Sequence, residues 1–197
     1  MDSLFSEIGL MFINLFFGLY LLVVLLRFLF QLVRADFYNP ISQFVLKATN
    51  PLLMPIRRVV PGIGGIDTSS PILALAVQMV GALLTILIVG GGVGIDPLKL
   101  VLWSVLLILN LILQIYFFGL IITVIVSWIA PQSQNPALAL IHQLLAPVTN
   151  PIRKMLPDMG GIDISPIFVF FTITVLKKIL FSVMAASQLP QALAMFV

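Results

Sequence analysis

The chain has 197 residues, of which 61% are hydrophobic and only 9% are charged. Soluble domains carry about 25% charged residues, so a soluble fold of this length has no interior large enough for so much apolar surface, and the composition predicts a membrane protein. Cysteine is absent, which excludes disulfides and thiolate metal sites. The small net charge of +3, without a large basic cluster, argues against nucleic-acid binding.

Four apolar stretches are long enough to cross a membrane, because a crossing helix needs about 20 residues. In chain order they run from Ile8 to Val33, from Ile72 to about Val89, from Leu98 to Ala130 and from Pro166 to about Ala186. A cleavable signal peptide begins with basic residues. Here Asp2 and Glu7 precede the first stretch, so we expect it to be a retained membrane helix.

Basic residues predict the orientation. The connection 34–70 holds four of them, the connection 131–165 holds two, and the opposite side offers only Lys99. Since basic residues are retained in the cytoplasm, we expect both long connections to be cytoplasmic and both termini to lie on the opposite side, which is the periplasm if the membrane is a bacterial inner membrane.

A shift of 96 residues superimposes the two halves of the chain. The block "PIRRVVPGIGGID", which begins at Pro55, falls on "PIRKMLPDMGGID", which begins at Pro151. This predicts a duplication, with one repeat at 1–95 and the other at 96–197. Two spans per repeat make the copies parallel, so the predicted fold is an all-α membrane protein of four transmembrane helices in two parallel tandem repeats. Each repeat is a helix, an interfacial amphipathic hairpin and a second helix.

The two connections carry the repeated polar residues. Each opens with Asn-Pro and an apolar stripe at helical spacing, which predicts a short helix in the membrane interface, or alternatively an ordinary helix packed on the bundle. Pro51 with Pro55, and their counterparts Pro147 with Pro151, are expected to end these helices and turn the chain back.

A basic pair follows each Pro-Ile: Arg57 with Arg58, and Arg153 with Lys154. Such pairs suit anionic lipid headgroups or a partner protein, although retention of positive charge in the cytoplasm is the simpler explanation. The two alternatives remain open at the level of the sequence.

The Gly-Gly-Ile-Asp segments precede the second span of each repeat. Gly65 and Gly161 allow a tight turn. Asp67 and Asp163 follow, ten residues after Arg57 and Arg153, so each aspartate is placed either to pair with that arginine or to face the positive end of the next helix. The following Ser-Pro pairs, at 70–71 and 165–166, are predicted to be N-caps followed by a first-turn proline.

Of the polar residues within the predicted spans, five are candidates for a functional or packing role. Arg27 is close enough to the cytoplasmic side to extend toward it. Asn110 and Gln114, one turn apart, are expected to hydrogen-bond between helices. Lys177 and Lys178 lie deep in the last span, where charge is a functional hypothesis by default. Adjacent residues point about 100° apart on a helix, so at most one of these lysines faces a cavity.

An enzyme is difficult to build from these residues. The single histidine, His142, lies on an amphipathic stretch, and neither metal-binding spacing nor a nucleophile motif is present. No acidic ring or carbonyl filter indicates a cation channel. We therefore predict a non-enzymatic protein without a cofactor, whose repeated features lie at the membrane surface.

The repeated motif resembles that of the YggT family, also called YlmG, whose members are bacterial inner-membrane proteins with chloroplast relatives. The matching positions are Arg57, Arg58, Pro61, Gly65, Asp67, Ser69, Arg153, Lys154, Pro157, Gly161, Asp163 and Ser165. The resemblance implies an inner-membrane location and links to osmotic tolerance, cell division and cytochrome assembly, but it carries no agreed active site. The extra Ser70 departs from the compact second copy.

The function expected from the sequence is that of an accessory or organising protein. Its basic hairpins would contact anionic lipid headgroups or a larger membrane complex, with a membrane protein or a second copy of the chain as partner. The alternative is an oligomeric channel or transport component in osmotic adaptation.

Overall fold

The computed structural model describes residues 2–60, 62, 67–90, 96–130, 132–156 and 163–196. Within these ranges the chain forms α-helices and one terminal 3₁₀ helix, Gln191–Phe196. The α-helices are α1 (Asp2–Leu32), α2 (Pro40–Val59), α3 (Ser69–Ile88), α4 (Pro97–Ile129), α5 (Pro136–Met155) and α6 (Ser165–Ala186). The predicted all-α architecture is confirmed.

Four helices, α1, α3, α4 and α6, are long and apolar enough to cross a membrane. They coincide with the four predicted spans. Much of their apolar surface is not covered by other parts of the chain. Only 17% of the most apolar 18-residue stretch of α6 is buried. A helix that is apolar on its exposed side is a membrane span rather than part of a soluble core, so this surface is suited to lipid.

The spans pack first within each half and then between halves: α1 lies against α3, α4 lies against α6, and α3 joins α4. Close approach of α1 and α3 depends on Gly81, because a Cβ there would lie 3.3 Å from both Cβ and Cγ of Phe17. Small residues at such contacts let membrane helices meet at short range.

The connecting helices α2 and α5 begin in the same way. The side chain of Asn39 accepts a hydrogen bond from the backbone N–H of Ile41 at 2.9 Å, and Asn135 accepts one from Ala137 at 2.8 Å. A proline follows each asparagine, at the first helical position. Asparagine is a strong N-cap and proline is favoured at that next position, so each Asn-Pro pair explains where its helix begins.

The prediction that the chain turns back at the prolines is wrong. Pro51 and Pro55 lie inside α2, and Pro147 and Pro151 lie inside α5. All four prolines are exposed, whereas Leu53, which lies between the two prolines of α2, is fully buried. Each pair is four residues apart and so lies on one outward face, and packing of the opposite face stabilises the helix despite the backbone bonds that the prolines remove.

The helix α2 ends at Val59 and α5 ends at Met155, after both of their prolines. Gly65 and Gly161, the glycines predicted to form tight turns, lie outside the described residues.

The two connections meet at one end of the bundle. The side-chain amide of Asn39 donates to the carbonyl of Pro136 at 2.8 Å, and the backbone N–H of Asp36 donates to Oε1 of Gln143 at 2.8 Å. Since α1 and α4 each lead into a connection at this shared end, the two repeats run in the same direction through the bundle.

Candidate functional site

Each repeat has a corner, defined here as the end of its connecting helix together with the aspartate before its second span. In the first corner Nε of Arg57 donates to Oδ2 of Asp67 at 3.0 Å, and Nη2 of Arg57 contacts the same oxygen. Oδ1 of Asp67 accepts from the backbone N–H of Ser69 at 3.2 Å. The carboxylate thus ties the end of α2 to the start of α3.

The second corner repeats these contacts in a more exposed setting. Nη2 of Arg153 pairs with Oδ2 of Asp163, and Oδ1 of Asp163 accepts from the backbone N–H of Ser165 at 2.9 Å. The side chain of Asp163 is 35% exposed, against 7% for Asp67. The same ion pair is therefore more strongly screened by its surroundings in the second repeat.

The predicted serine N-caps are wrong. The helices α3 and α6 begin at Ser69 and Ser165, and the residues before them, Thr68 and Ile164, make no side-chain cap bond. Asp67 and Asp163 accept the first-turn N–H groups instead. A carboxylate is a stronger acceptor there than a hydroxyl, because its charge also interacts with the positive end of the helix.

Both aspartates are stabilised in their charged form. Burial by itself raises the pKa of Asp67. The hydrogen bonds and charge of Arg57, together with the hydrogen bonds from Ser69, lower this pKa by more, so it lies below the ordinary value. The pKa of Asp163 is lowered in the same way, with burial opposed by bonds from Arg153 and Ser165.

The second basic residue of each pair has a different position. Arg58 and Lys154 are exposed in the last turns of α2 and α5. Among the described residues, the ion pairs are those of Arg57 and Arg153, and neither Arg58 nor Lys154 takes part in one. The first arginine of each corner is thus engaged within the chain, while its neighbour faces outward.

Arg27, predicted to extend toward the cytoplasmic side of the membrane, is bound within the chain. It is 5% exposed, and its Nη1 donates to Thr49 Oγ1 at 2.6 Å, to Asn50 Oδ1 at 2.8 Å and to the carbonyl of Leu46 at 3.3 Å. A buried guanidinium requires acceptors within the protein, and α2 supplies all three of these. Arg27 therefore fastens α1 to α2.

This polar contact belongs to the first repeat alone. At the shift of 96 residues Thr123 replaces Arg27, Leu145 replaces Thr49 and Ala146 replaces Asn50, so donor and acceptors are lost together. Sequence reasoning identified Arg27 but missed its acceptors. The sequence contained a signal for this contact, because Arg27, Thr49 and Asn50 are all replaced in the second copy.

Asn110 and Gln114 of α4 have different surroundings. Asn110 is 3% exposed, and its Nδ2 has no hydrogen-bond partner among the described residues. Gln114 lines a cavity of about 410 Å³ between α1, α3 and α4, together with Asn14 and Gln78. Gln78 is also buried, and its Nε2 lacks a partner within the described part of the chain.

The two lysines of α6 point in different directions, as adjacent residues of a helix do. Nζ of Lys177 lies 5.7 Å from the ring centroid of Phe117 on α4, at cation–π distance. Lys178 is exposed. The described residues contain no group of three or more histidine, cysteine, aspartate or glutamate side chains placed to hold a metal ion.

Comparison with known proteins finds the same duplication. The CCB3/YggT family profile matches the chain twice, at residues 6–88 and 102–184. These two ranges are 96 residues apart, the shift seen in the sequence. No solved structure matches the chain.

Bacterial relatives cover most of the chain. An uncharacterised Pseudomonas aeruginosa protein is 48% identical over 180 residues, or 91% of each chain. The Escherichia coli protein YggT, also described as uncharacterised, is 36% identical over 161 residues, or 81% of each chain. With two profile matches, four apolar spans and relatives at this level of identity, the chain belongs to the CCB3/YggT family of membrane proteins.

Proposed function

We propose that this protein is a non-enzymatic organising protein of the bacterial inner membrane, whose two corners bind anionic lipid headgroups at the membrane surface. The observation that carries the proposal is that the two basic residues of each pair have different surroundings. Arg57 and Arg153 are paired with Asp67 and Asp163, while Arg58 and Lys154 are exposed at the ends of α2 and α5.

The apolar surface beside these residues supports the proposal. Phe44, Leu52 and Met54 of α2 are each more than half exposed, and Met155 of α5 is 84% exposed. A helix that exposes large apolar side chains next to basic ones is suited to the headgroup boundary of a membrane, where each basic residue contributes about 1 kcal/mol of attraction to anionic lipid.

The test measures which lipids stay with the protein during purification in mild detergent. The variant Arg58→Glu with Lys154→Glu reverses the outward charge of both corners and leaves both internal ion pairs in place. We expect the wild-type protein to retain phosphatidylglycerol in excess of its share of the membrane, and the double variant to retain less of it.

Lys99→Glu is the matched control, because Lys99 is an exposed basic residue at the start of α4, far in sequence from either corner. It is expected to leave the enrichment unchanged. Equal retention of phosphatidylglycerol by the wild-type protein and the corner variant would contradict the proposal. Proteins that co-purify with the wild type and are lost with the double variant would identify the larger complex that these corners organise.

A second candidate function, transport in osmotic adaptation, is favoured by one observation. The cavity between α1, α3 and α4 is lined by Gln78, whose buried Nε2 lacks a partner among the described residues. Ion flux in proteoliposomes that is abolished by Gln78→Leu, or by replacing Lys177 or Lys178, would favour transport over organisation. Absence of flux in the wild-type protein would exclude this alternative under the ionic conditions tested.

A further inference from the structure

A second basic site lies between α1 and α2 in the first repeat. It is a pocket of about 310 Å³ whose lining includes the three arginines Arg27, Arg34 and Arg57. None of the described residues that line it is acidic. Asp67, outside the lining, offsets the charge of Arg57, so the excess positive charge of the pocket comes from Arg27 and Arg34.

The backbone at Arg34 is unusual. Its φ is +52°, in the left-handed region that favours glycine. The backbone N–H of Ala35 donates to the carbonyl of Phe30 at 2.8 Å and that of Arg34 donates to Gln31 at 3.1 Å, which together form the Schellman ending of α1. A long charged side chain at this glycine position is a local cost to folding, and such costs concentrate at functional sites.

The second repeat lacks these features. Ala130 replaces Arg34 and has a φ of −146°, and Thr123 replaces Arg27. Arg153 alone corresponds to a pocket arginine. The repeated fold therefore does not require a basic pocket, and the contacts of Arg27 with α2 do not explain the presence of Arg34.

We propose that this pocket binds the phosphate of an anionic phospholipid. Guanidinium groups match phosphate oxygens in geometry as well as in charge. Nη1 of Arg27 is fixed by its contacts with α2, which holds the guanidinium in place, and a guanidinium carries further donors on Nη2 and Nε. The inference rests on the proposed lipid contact. It adds a lipid site beside the first corner that has no counterpart beside the second in the described part of the chain.

The position and lining favour a lipid over a soluble anion. Arg34 is two residues past the end of α1, at the level where a membrane span gives way to headgroups. Phe30, Phe37 and Val45 line the same pocket, and Phe37 is 58% exposed. Apolar walls beside the arginines suit the glycerol and first acyl carbons of a phospholipid, whereas inorganic phosphate has no apolar part to bury.

The test uses Arg34→Gly, which removes the charge and places at the left-handed position the residue best suited to it. Delipidated protein is titrated with phosphatidylglycerol, with phosphatidylethanolamine and with inorganic phosphate, and binding is counted by native mass spectrometry. We expect one tightly bound phosphatidylglycerol on the wild-type protein and an affinity about tenfold weaker for Arg34→Gly. The thermal midpoint of Arg34→Gly should be equal or higher, which excludes misfolding as the cause.

Two variants control this experiment. Lys47→Ala removes an exposed positive charge of α2 that does not line the pocket. Gln188→Gly relaxes a second left-handed non-glycine residue, whose φ is +57°. Both are expected to bind phosphatidylglycerol within about twofold of the wild type.

Three results would overturn the inference: an unchanged affinity in Arg34→Gly, a loss as large in Lys47→Ala, or displacement of the bound lipid by inorganic phosphate at equal concentration. The last would assign the site to a soluble phosphate. An unchanged affinity in Arg34→Gly, with lipid enrichment still reduced in Arg58→Glu with Lys154→Glu, would reject the pocket and leave the proposed function standing.

Discussion

The arginines of the first repeat show how the surroundings of a side chain decide its role. Arg57 is half-exposed and pairs with a carboxylate, whereas Arg27 is buried and bonds to neutral oxygens of α2. A buried charge without acceptors is far more costly than an exposed one. The two residues therefore respond differently to substitution.

Arg27→Leu is expected to lower the free energy of unfolding by about 2 kcal/mol, because Thr49 and Asn50 lose a charged donor. The triple variant Arg27→Thr, Thr49→Leu, Asn50→Ala copies the second repeat and should recover most of this loss. Thermal unfolding in detergent measures both. A triple variant as unstable as Arg27→Leu would contradict the view that the three residues form one unit.

A low pH should weaken the ion pairs of the two corners. Because the pKa of Asp67 is lower in the folded protein than in the unfolded chain, its ionised carboxylate contributes fully above the ordinary pKa of about 3.9, and the contribution is lost as the pH falls through the folded value. Asp67→Asn should therefore be less stable than the wild type at about pH 7 and equally stable in strong acid.

The same measurement on Asp163→Asn provides a comparison within the chain. We expect a smaller effect, since Asp163 and Arg153 are both more exposed than their counterparts. Unfolding midpoints recorded from neutral to acid pH check both variants. A larger effect at Asp163 would show that burial does not set the strength of these pairs.

At the scale of elements, α2 and α5 show packing prevailing over local preference. Proline inside a helix costs about 3 kcal/mol or more in general, and each of these helices contains two. The prolines occupy the exposed face and the opposite face is buried, so the helix continues through them.

Substitutions on the two faces of α2 should separate these effects. Leu53→Ala is expected to destabilise the protein by about 2–4 kcal/mol, since Leu53 is fully buried. Pro55→Ala should change stability by less than about 1 kcal/mol, or increase it, because Pro55 is exposed and alanine restores a backbone donor. Chemical denaturation in detergent compares them. Severe destabilisation by Pro55→Ala would instead indicate that the proline shapes a turn.

Two glycines of the spans form a further matched pair. Gly81→Ala should destabilise the protein by about 1–3 kcal/mol, because the added Cβ would lie 3.3 Å from Cβ of Phe17, an atom held close to the backbone. Gly18→Ala should be neutral or stabilising by about 0.5 kcal/mol, since no atom lies within 4 Å of its added Cβ. Thermal midpoints that ranked the two variants in the opposite order would contradict the packing of α1 on α3.

At the scale of the whole molecule, the repeats share a plan and differ in chemistry. Both have a capped connecting helix, a corner ion pair and an aspartate at the start of the second span. Among the described residues, only the first has the buried Arg27 contact and the pocket of three arginines. The two copies thus share a backbone plan, and the first copy adds polar contacts to it.

The parallel arrangement and the orientation can be tested together. The chain contains no cysteine, so Asp36→Cys with Gln143→Cys gives a clean cross-linking pair across the contact between the connections. We expect rapid cross-linking by a short bifunctional reagent, and protection of both cysteines from impermeant reagents added to intact cells. Labelling of either cysteine from outside would overturn the cytoplasmic placement.

Hydropathy and repetition in the sequence determined the four spans, the duplication and the family, because these depend on composition along the chain and on spacing. The interval of ten residues also indicated that Arg57 could pair with Asp67, and Arg153 with Asp163. These features are local in the chain, which is why a linear pattern contains them.

Tertiary structure decided what depends on a face or on a distant partner. The prolines remain in helices because their neighbours are buried, Arg27 stays inside because α2 offers acceptors, and Arg27, Arg34 and Arg57 share a pocket because α1 and α2 cross there. Whether a polar residue is exposed or bound is set by the free energy of burying it, and that depends on groups far away in the sequence.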